Sequence, residues 1–214
     1  MMKKMKLIAL AVALFAGVTG TFAQGFGVKG SFNFFNLTQE NSSGSKIENK
    51  MIPTFDAGIF YEISVAPEFY LRPELLFAQK GAKNDNKLLD FTAKLSYVEL
   101  PVLFLYKGGL GNNHILLGFG PYVAKGVGGS VESKLIDGDV KFKNDITDAE
   151  DLALYCKPID FGGKVMAGYE FGNGLSFALN ASLGLIDIEP KVSGKDLESF
   201  TKNNGFGLTL GYRF

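Results

Sequence analysis

Residues 205–214 read Gly-Phe-Gly-Leu-Thr-Leu-Gly-Tyr-Arg-Phe. Phe206, Leu208, Leu210, Tyr212 and Phe214 share one parity; Gly205, Gly207, Thr209, Gly211 and Arg213 share the other. Side chains alternate across a β-strand, so one face is wholly apolar and the other is small or polar. About ten residues is the length a tilted strand needs to cross a bilayer. The stretch therefore predicts the closing strand of a transmembrane β-barrel, ending on an aromatic.

Working backwards, seven more segments repeat the period of two: 25–36, 55–65, 69–80, 91–106, 115–125, 160–171 and 175–186, with the last over 204–214. Ala66-Pro67-Glu68, residues 107–114 and Gly172-Asn173-Gly174 connect them briefly. Residues 37–54, 81–90, 126–159 and 187–203 are longer and polar. Short and long connections alternate strictly, as in outer-membrane barrels with short periplasmic turns and longer external loops. The expectation is all-β: an eight-stranded antiparallel up-and-down transmembrane β-barrel with both termini periplasmic.

The two faces differ sharply. One carries Phe32, Phe55, Leu75, Val98, Leu117, Val165, Phe177 and their like. The other carries Lys29, Asp56, Glu62, Arg72, Glu74, Glu99, Lys164, Glu170 and Arg213 among glycines, serines and Asn180. A soluble barrel would turn the apolar face inward, but eight strands enclose a space only just filled by side chains. So many large groups do not fit there. Glycines at 27, 58, 118, 120, 162, 168, 184 and 207 suit a crowded lumen. The apolar face is expected to meet lipid, and the nine charged residues to form a lumen charge network of mutually paired groups, because unpaired buried charge is costly. The sharper alternative is a proton or ion path.

At the other end of the chain, Lys3, Lys4 and Lys6 precede an apolar run from Leu7 to Val18 and then Thr21-Phe22-Ala23. That pattern predicts a secretory signal over residues 1–23, with the barrel domain over 24–214. The run is too short to span a membrane as a helix. The chain has 22 basic and 22 acidic residues; loss of the three signal lysines leaves 19 against 22. An acidic balance is no footprint for nucleic acid. The single cysteine, Cys156, excludes an internal disulfide framework.

The segments resemble the PorT-like outer-membrane β-barrel family of Gram-negative bacteria. The resemblance rests on Gly27-Val-Lys-Gly30, Leu71-Arg-Pro-Glu-Leu-Leu-Phe-Ala-Gln-Lys-Gly81, Tyr97-Val-Glu-Leu-Pro-Val-Leu-Phe104, Gly118-Phe-Gly-Pro-Tyr-Val-Ala124 and Asp160-Phe-Gly-Gly-Lys-Val-Met-Ala-Gly-Tyr-Glu-Phe171. It implies an eight-stranded barrel in the outer membrane, in contact with outer-membrane lipid. Tyr212 and Phe214 look like the signal read by the barrel-assembly machinery during biogenesis. One member of the family is tied to protein secretion; no motif here carries that role over.

Candidate chemistry is sparse. Gly25, Gly27 and Gly30 spell G-x-G-x-x-G, but a dinucleotide fingerprint follows a strand and opens a helix. Here the glycines lie within a strand, as lumen spacers and a bulge candidate. His114, the one histidine, sits beside a short turn, so a serine–histidine–acid hydrolase lacks its base at the outer rim. Metal sites built on His or Cys clusters are absent from the pattern. Residues 126–159 hold Glu132, Asp137, Asp139, Asp145, Asp148, Glu150 and Asp151, read as a solvated external loop with calcium the lesser alternative. No cofactor is expected. The sequence points to a small non-enzymatic outer-membrane barrel with a structural or surface-interaction role. A narrow channel or solute-binding barrel and an accessory component of protein secretion are the alternatives, and a lipid hydrolase comes last.

Overall fold

The computed structural model describes residues 25–40, 45–47, 49–86, 89–133, 138–146, 154–195 and 199–214. The expected signal over residues 1–23 lies outside them. Eight long strands dominate: β1 (Phe26–Glu40), β2 (Ile52–Tyr61, continued by Ile63–Ala66), β3 (Phe69–Asn86), β4 (Leu89–Leu110), β5 (Asn113–Ser133), β6 (Ile159–Glu170), β7 (Leu175–Gly184) and β8 (Phe200–Arg213).

Each strand pairs antiparallel with the next, and β8 pairs with β1 from Gly27↔Arg213 to Glu40↔Phe200. The ring is therefore closed, and no long edge is left to recruit another chain. A line of paired residues runs Lys29, Gly58, Leu76, Glu99, Ala124, Asp160. Carried on at the registers of the last ladders, it returns to β1 at Gln39, ten residues above its start. A stagger of that kind is the tilt that closure demands. The first and last strands meet at the short-turn end: the Phe214 N–H donates to the Phe26 carbonyl at 2.9 Å, and the two rings stack at 5.8 Å.

Alternation sorts the faces as the periodicity requires. Phe32, Phe55, Phe119, Val165, Phe177, Leu179 and Leu208 stand exposed around the outside, while Asp56, Arg72, Glu74, Glu99 and Glu170 are buried inside. An all-round exposed apolar belt on a closed barrel is the surface that lipid covers. Inward glycines make space for large neighbours. A Cβ on Gly27 would lie 2.2 Å from the Phe60 ring, and one on Gly162 would lie 2.6 Å from Tyr122.

Several expectations change. The connection expected over 81–90 is no long loop, because β3 and β4 stay paired out to Asn86↔Leu89. Alternation fades there once the strands leave the lipid, which is why the pattern understated their length. The connection over 107–114 shrinks to Gly111-Asn112, with Gly111 at φ 64°, where glycine is favoured. His114 is thus the second residue of β5 rather than part of a turn. Gly30 makes no bulge, since β1 keeps regular register with both neighbours; register shifts fall on the β4–β5 ladder, between Ser96 and Tyr97, and on the β2–β3 ladder, between Ser64 and Ala66.

Residues 126–159 are not simply a solvated loop. β5 runs on to Ser133, Gly138–Phe142 pairs with it, and Leu154–Cys156 pairs parallel with Gly138–Phe142. Val140 and Cys156 pack there with Leu37, Ala82, Leu95, Tyr97, Tyr122, Ala124 and Ile188. This apolar cluster closes the long-connection end of the barrel. Of the acidic residues in the stretch, Asp137, Asp148, Glu150 and Asp151 lie outside the described residues.

Candidate functional site

Among the described residues, twelve acidic and basic side chains line the lumen in balance. The basic six are Lys29, Arg72, Lys80, Lys107, Lys164 and Arg213; the acidic six are Asp56, Glu62, Glu74, Glu99, Asp160 and Glu170. All nine residues of the expected network point inward. Lys80, Lys107 and Asp160 were not among them. Each shares the inward parity of its strand, with Arg72, Glu99 and Lys164 respectively, and the signal was lost only because they stand at or beyond the expected strand ends.

Near the short-turn end the charges link into one group. Glu62 pairs with Arg72 and with Lys107 at 2.8 Å. Lys107 also reaches Glu170 at 2.9 Å, and Glu170 accepts from the Arg213 guanidinium at 2.8 Å. The Arg72 guanidinium lies 4.4 Å over the Phe60 ring. His114 Nδ1 stands 4.0 Å from Glu170, so the lone histidine belongs to this end of the lumen.

A second group fills the middle and upper lumen. Lys80, 1 % exposed, pairs with Glu99 at 2.7 Å and Asp160 at 3.0 Å, and its ammonium sits 4.0 Å over Tyr122 and 5.3 Å over Tyr97. Lys164 pairs with the other oxygen of Glu99. Asp160 also accepts from Tyr122 at 3.2 Å and Asn203 at 3.0 Å. Lys29 pairs with Glu74 at 2.9 Å. Asp56 has no cation in contact among the described residues; Ser31 and Asn33 donate to it at 2.8 and 2.9 Å. With every cation matched inside a low-dielectric interior, the arrangement is a set of mutually compensated charges.

Above the apolar cluster lies a pocket of roughly 400 Å³, bordered by Leu37, Ile146, Leu154, Ile188, Val192 and Thr201. Its polar side is internally bonded: Asn49 donates to Gln39 at 2.7 Å and Gln39 to Thr201 at 3.0 Å. Cys156 borders it too, and burial pushes that thiol up to about 12, so it carries little thiolate at neutral pH. No group of three His, Cys, Asp or Glu able to hold a metal occurs among the described residues. Tyr212 and Phe214 stand exposed on the outer face, their rings edge-to-face at 5.3 Å.

A closed ring of eight strands, apolar outside and filled with matched charges inside, defines a small integral β-barrel of the outer-membrane kind. The chain belongs to the outer membrane protein beta-barrel domain family, whose sequence model matches residues 22–189. No curated protein matches the chain. Among solved structures it is similar to OprG from Pseudomonas aeruginosa, with 13% identity, coverage of 92% of this chain and 99% of that one, and a TM-score of 0.47. It is also similar to Ail, the attachment invasion locus protein of Yersinia pestis, at 14% identity, 89% and 99% coverage and a TM-score of 0.42. The outer membrane enzyme PagL matches at 11% identity, 88% and 99% coverage and a TM-score of 0.48.

Proposed function

We propose that this protein is a non-enzymatic outer-membrane barrel of filled lumen, working through the surface at its long-connection end. The observation that supports it most is the interior: six cations each contact a carboxylate, Asp56 accepts from Ser31 and Asn33, and the cluster around Tyr97, Val140 and Ile188 caps them. Such packing braces a barrel and leaves no wide aqueous path. The one histidine sits among Glu170 and its partners at the short-turn end, away from the surface where an external lipid substrate would arrive. In planar bilayers the purified protein is expected to give no steady conductance on the scale of a general porin; a stable open level of that size overturns the reading.

The orientation belongs to the same proposal. The start of β1, the end of β8 and the turns at Pro67-Glu68, Gly111-Asn112 and Gly172-Asn173 share one end, read as periplasmic, and the long connections share the other. A short epitope after Asn173 is expected to be hidden on intact cells and one beside Asp139 to be labelled. The reverse pattern inverts the topology.

The PorT-like resemblance makes an accessory role in protein secretion the second reading, and a co-purifying envelope protein its test. The pocket above the plug favours a solute-binding variant of the first. Outer-membrane lipid is the surrounding partner, and the barrel-assembly machinery the one met during biogenesis.

A further inference from the structure

The cavity above the plug is a well with an apolar floor. Leu37, Ala82, Cys156 and Ile188, all buried members of the plug cluster, form that floor, and Val192, 43% exposed, stands at the mouth. Its volume of roughly 400 Å³ lies within the range of small-molecule sites, which are concave, mostly apolar and carry a few polar groups. The polar groups here differ in how much of their bonding capacity is already used.

Gln39 and Asn49 are taken up by each other, by Thr201 and by Asn84. Glu189 is not. The Ser199 and Thr201 hydroxyls donate to its two oxygens, one to each, and among the described residues no cation contacts it. An ionised carboxylate is an acceptor only, with about four lone-pair sites, so capacity remains. Tyr155 lines the cavity as well, and among the described residues its buried hydroxyl has no hydrogen-bond partner. Buried hydroxyls nearly always find one. Among the described residues, no lysine or arginine lines the cavity. The nearby Asp187 is paired with Lys157 at 2.9 Å, and Lys143, which is not part of the lining, holds its ammonium 5.5 Å over the Tyr155 ring.

We propose that this cavity binds a small organic amine, its apolar body in the well and its ammonium on the Glu189 carboxylate. The inference rests on the solute-binding variant above and adds the class of solute. An acceptor-only group calls for a donor, and a charge-assisted bond is roughly twice as strong as a neutral one. A neutral alcohol donates without the charge. An anionic ligand meets Glu189 with no cation in the lining to offset it. Lys143 already stands over the Tyr155 ring, so the charge is read by Glu189 rather than by an aromatic face. The floor of Leu37, Ala82 and Ile188 demands the apolar body, which a bare inorganic cation lacks.

The test uses the full mature protein refolded into phosphatidylcholine nanodiscs, with folding checked by unboiled gel mobility. Phenethylamine, phenethyl alcohol and phenylacetate share a ring and differ in the charge at its end. Each is titrated calorimetrically, with empty nanodiscs as the blank. Wild type is expected to bind the amine about tenfold more tightly than the alcohol, and the acid least. Methylammonium, a charge without the body, should not displace the amine. Glu189→Gln should bring amine and alcohol within about twofold of each other while the alcohol still binds. Val192→Trp, which fills the mouth from an exposed position, should weaken amine and alcohol alike. If wild type binds the alcohol or the acid as well as the amine, the amine assignment is wrong and the solute-binding variant stands. Binding of none of the three overturns both, and leaves the filled lumen to the conductance measurement. A folded Glu189→Gln variant that keeps the full preference also overturns the proposal. Should that variant not fold, Val192→Trp decides, since unchanged amine binding there puts the amine outside this cavity.

Discussion

Glu99→Leu is expected to destabilise the folded barrel by about 3–5 kcal/mol, the cost of breaking a buried ion pair by removing one partner. Glu99 is fully buried and lies between two ammonium groups, Lys80 and Lys164. Its loss leaves six basic groups facing five acidic ones in the lumen. Lys80 keeps Asp160 at 3.0 Å, but Lys164 has no other carboxylate in contact among the described residues. The double change Glu99→Leu with Lys164→Met restores the charge balance, and replacement of a buried pair by apolar groups is often near neutral. It should therefore recover most of the loss. Urea midpoints in lipid vesicles, followed by the gel-mobility difference between folded and unfolded barrel, give both values. A single variant no worse than the double would show that charge matching does not hold this lumen together.

Leu210→Arg is the second large effect, at about 2–4 kcal/mol, the figure for an arginine on the lipid face near mid-depth. Leu210 is the middle one of the five outward residues Phe206, Leu208, Leu210, Tyr212 and Phe214, and is 51% exposed to what must be lipid. Its neighbour Thr209 faces the opposite way, where Ser31 lies 2.9 Å and Asn180 3.0 Å from its hydroxyl. Thr209→Ser keeps the hydroxyl and removes only a methyl, so it should be mild. The same urea titration compares the two. Equal damage from both, or a tolerated arginine, would mean that the belt of Phe32, Phe119 and Leu208 does not lie in lipid.

Within the lipid-spanning part, the barrel was legible residue by residue. Lipid on one side and a packed lumen on the other impose opposite demands on neighbouring positions, so parity alone assigned Leu210 outward and Thr209 inward. The same logic placed Lys29, Asp56, Glu62, Arg72, Glu74, Glu99, Lys164, Glu170 and Arg213 on the inner wall. It stopped where the lipid stops. Beyond Phe77 and Val98 the strands continue through Lys83 and Thr92, but water wets their outer face, polar residues serve on both sides, and the period of two dissolves. Lys80 and Asp160 stand in or beside that zone, whereas Lys107 lies at the short-turn end, one residue past the expected strand.

The plug was less legible still. Val140, Cys156 and Ile188 come from stretches rich in charge, and nothing local marks those few apolar residues as a lid. They become one only because the ring brings Leu37, Leu95, Tyr97 and Tyr122 beneath them. Inward aromatics such as Phe60 and Tyr122 were hidden similarly: the glycines that admit them, Gly27 and Gly162, lie on neighbouring strands far away in sequence. By itself, then, the sequence determined the strand count, the antiparallel order and the direction each membrane-embedded side chain faces, because these follow from local alternation between two unlike solvents. Which charge meets which, how far the strands outrun the lipid and what closes the lumen were decided only in three dimensions. Those contacts join residues from different strands, and their distances depend on the stagger with which the ring closes.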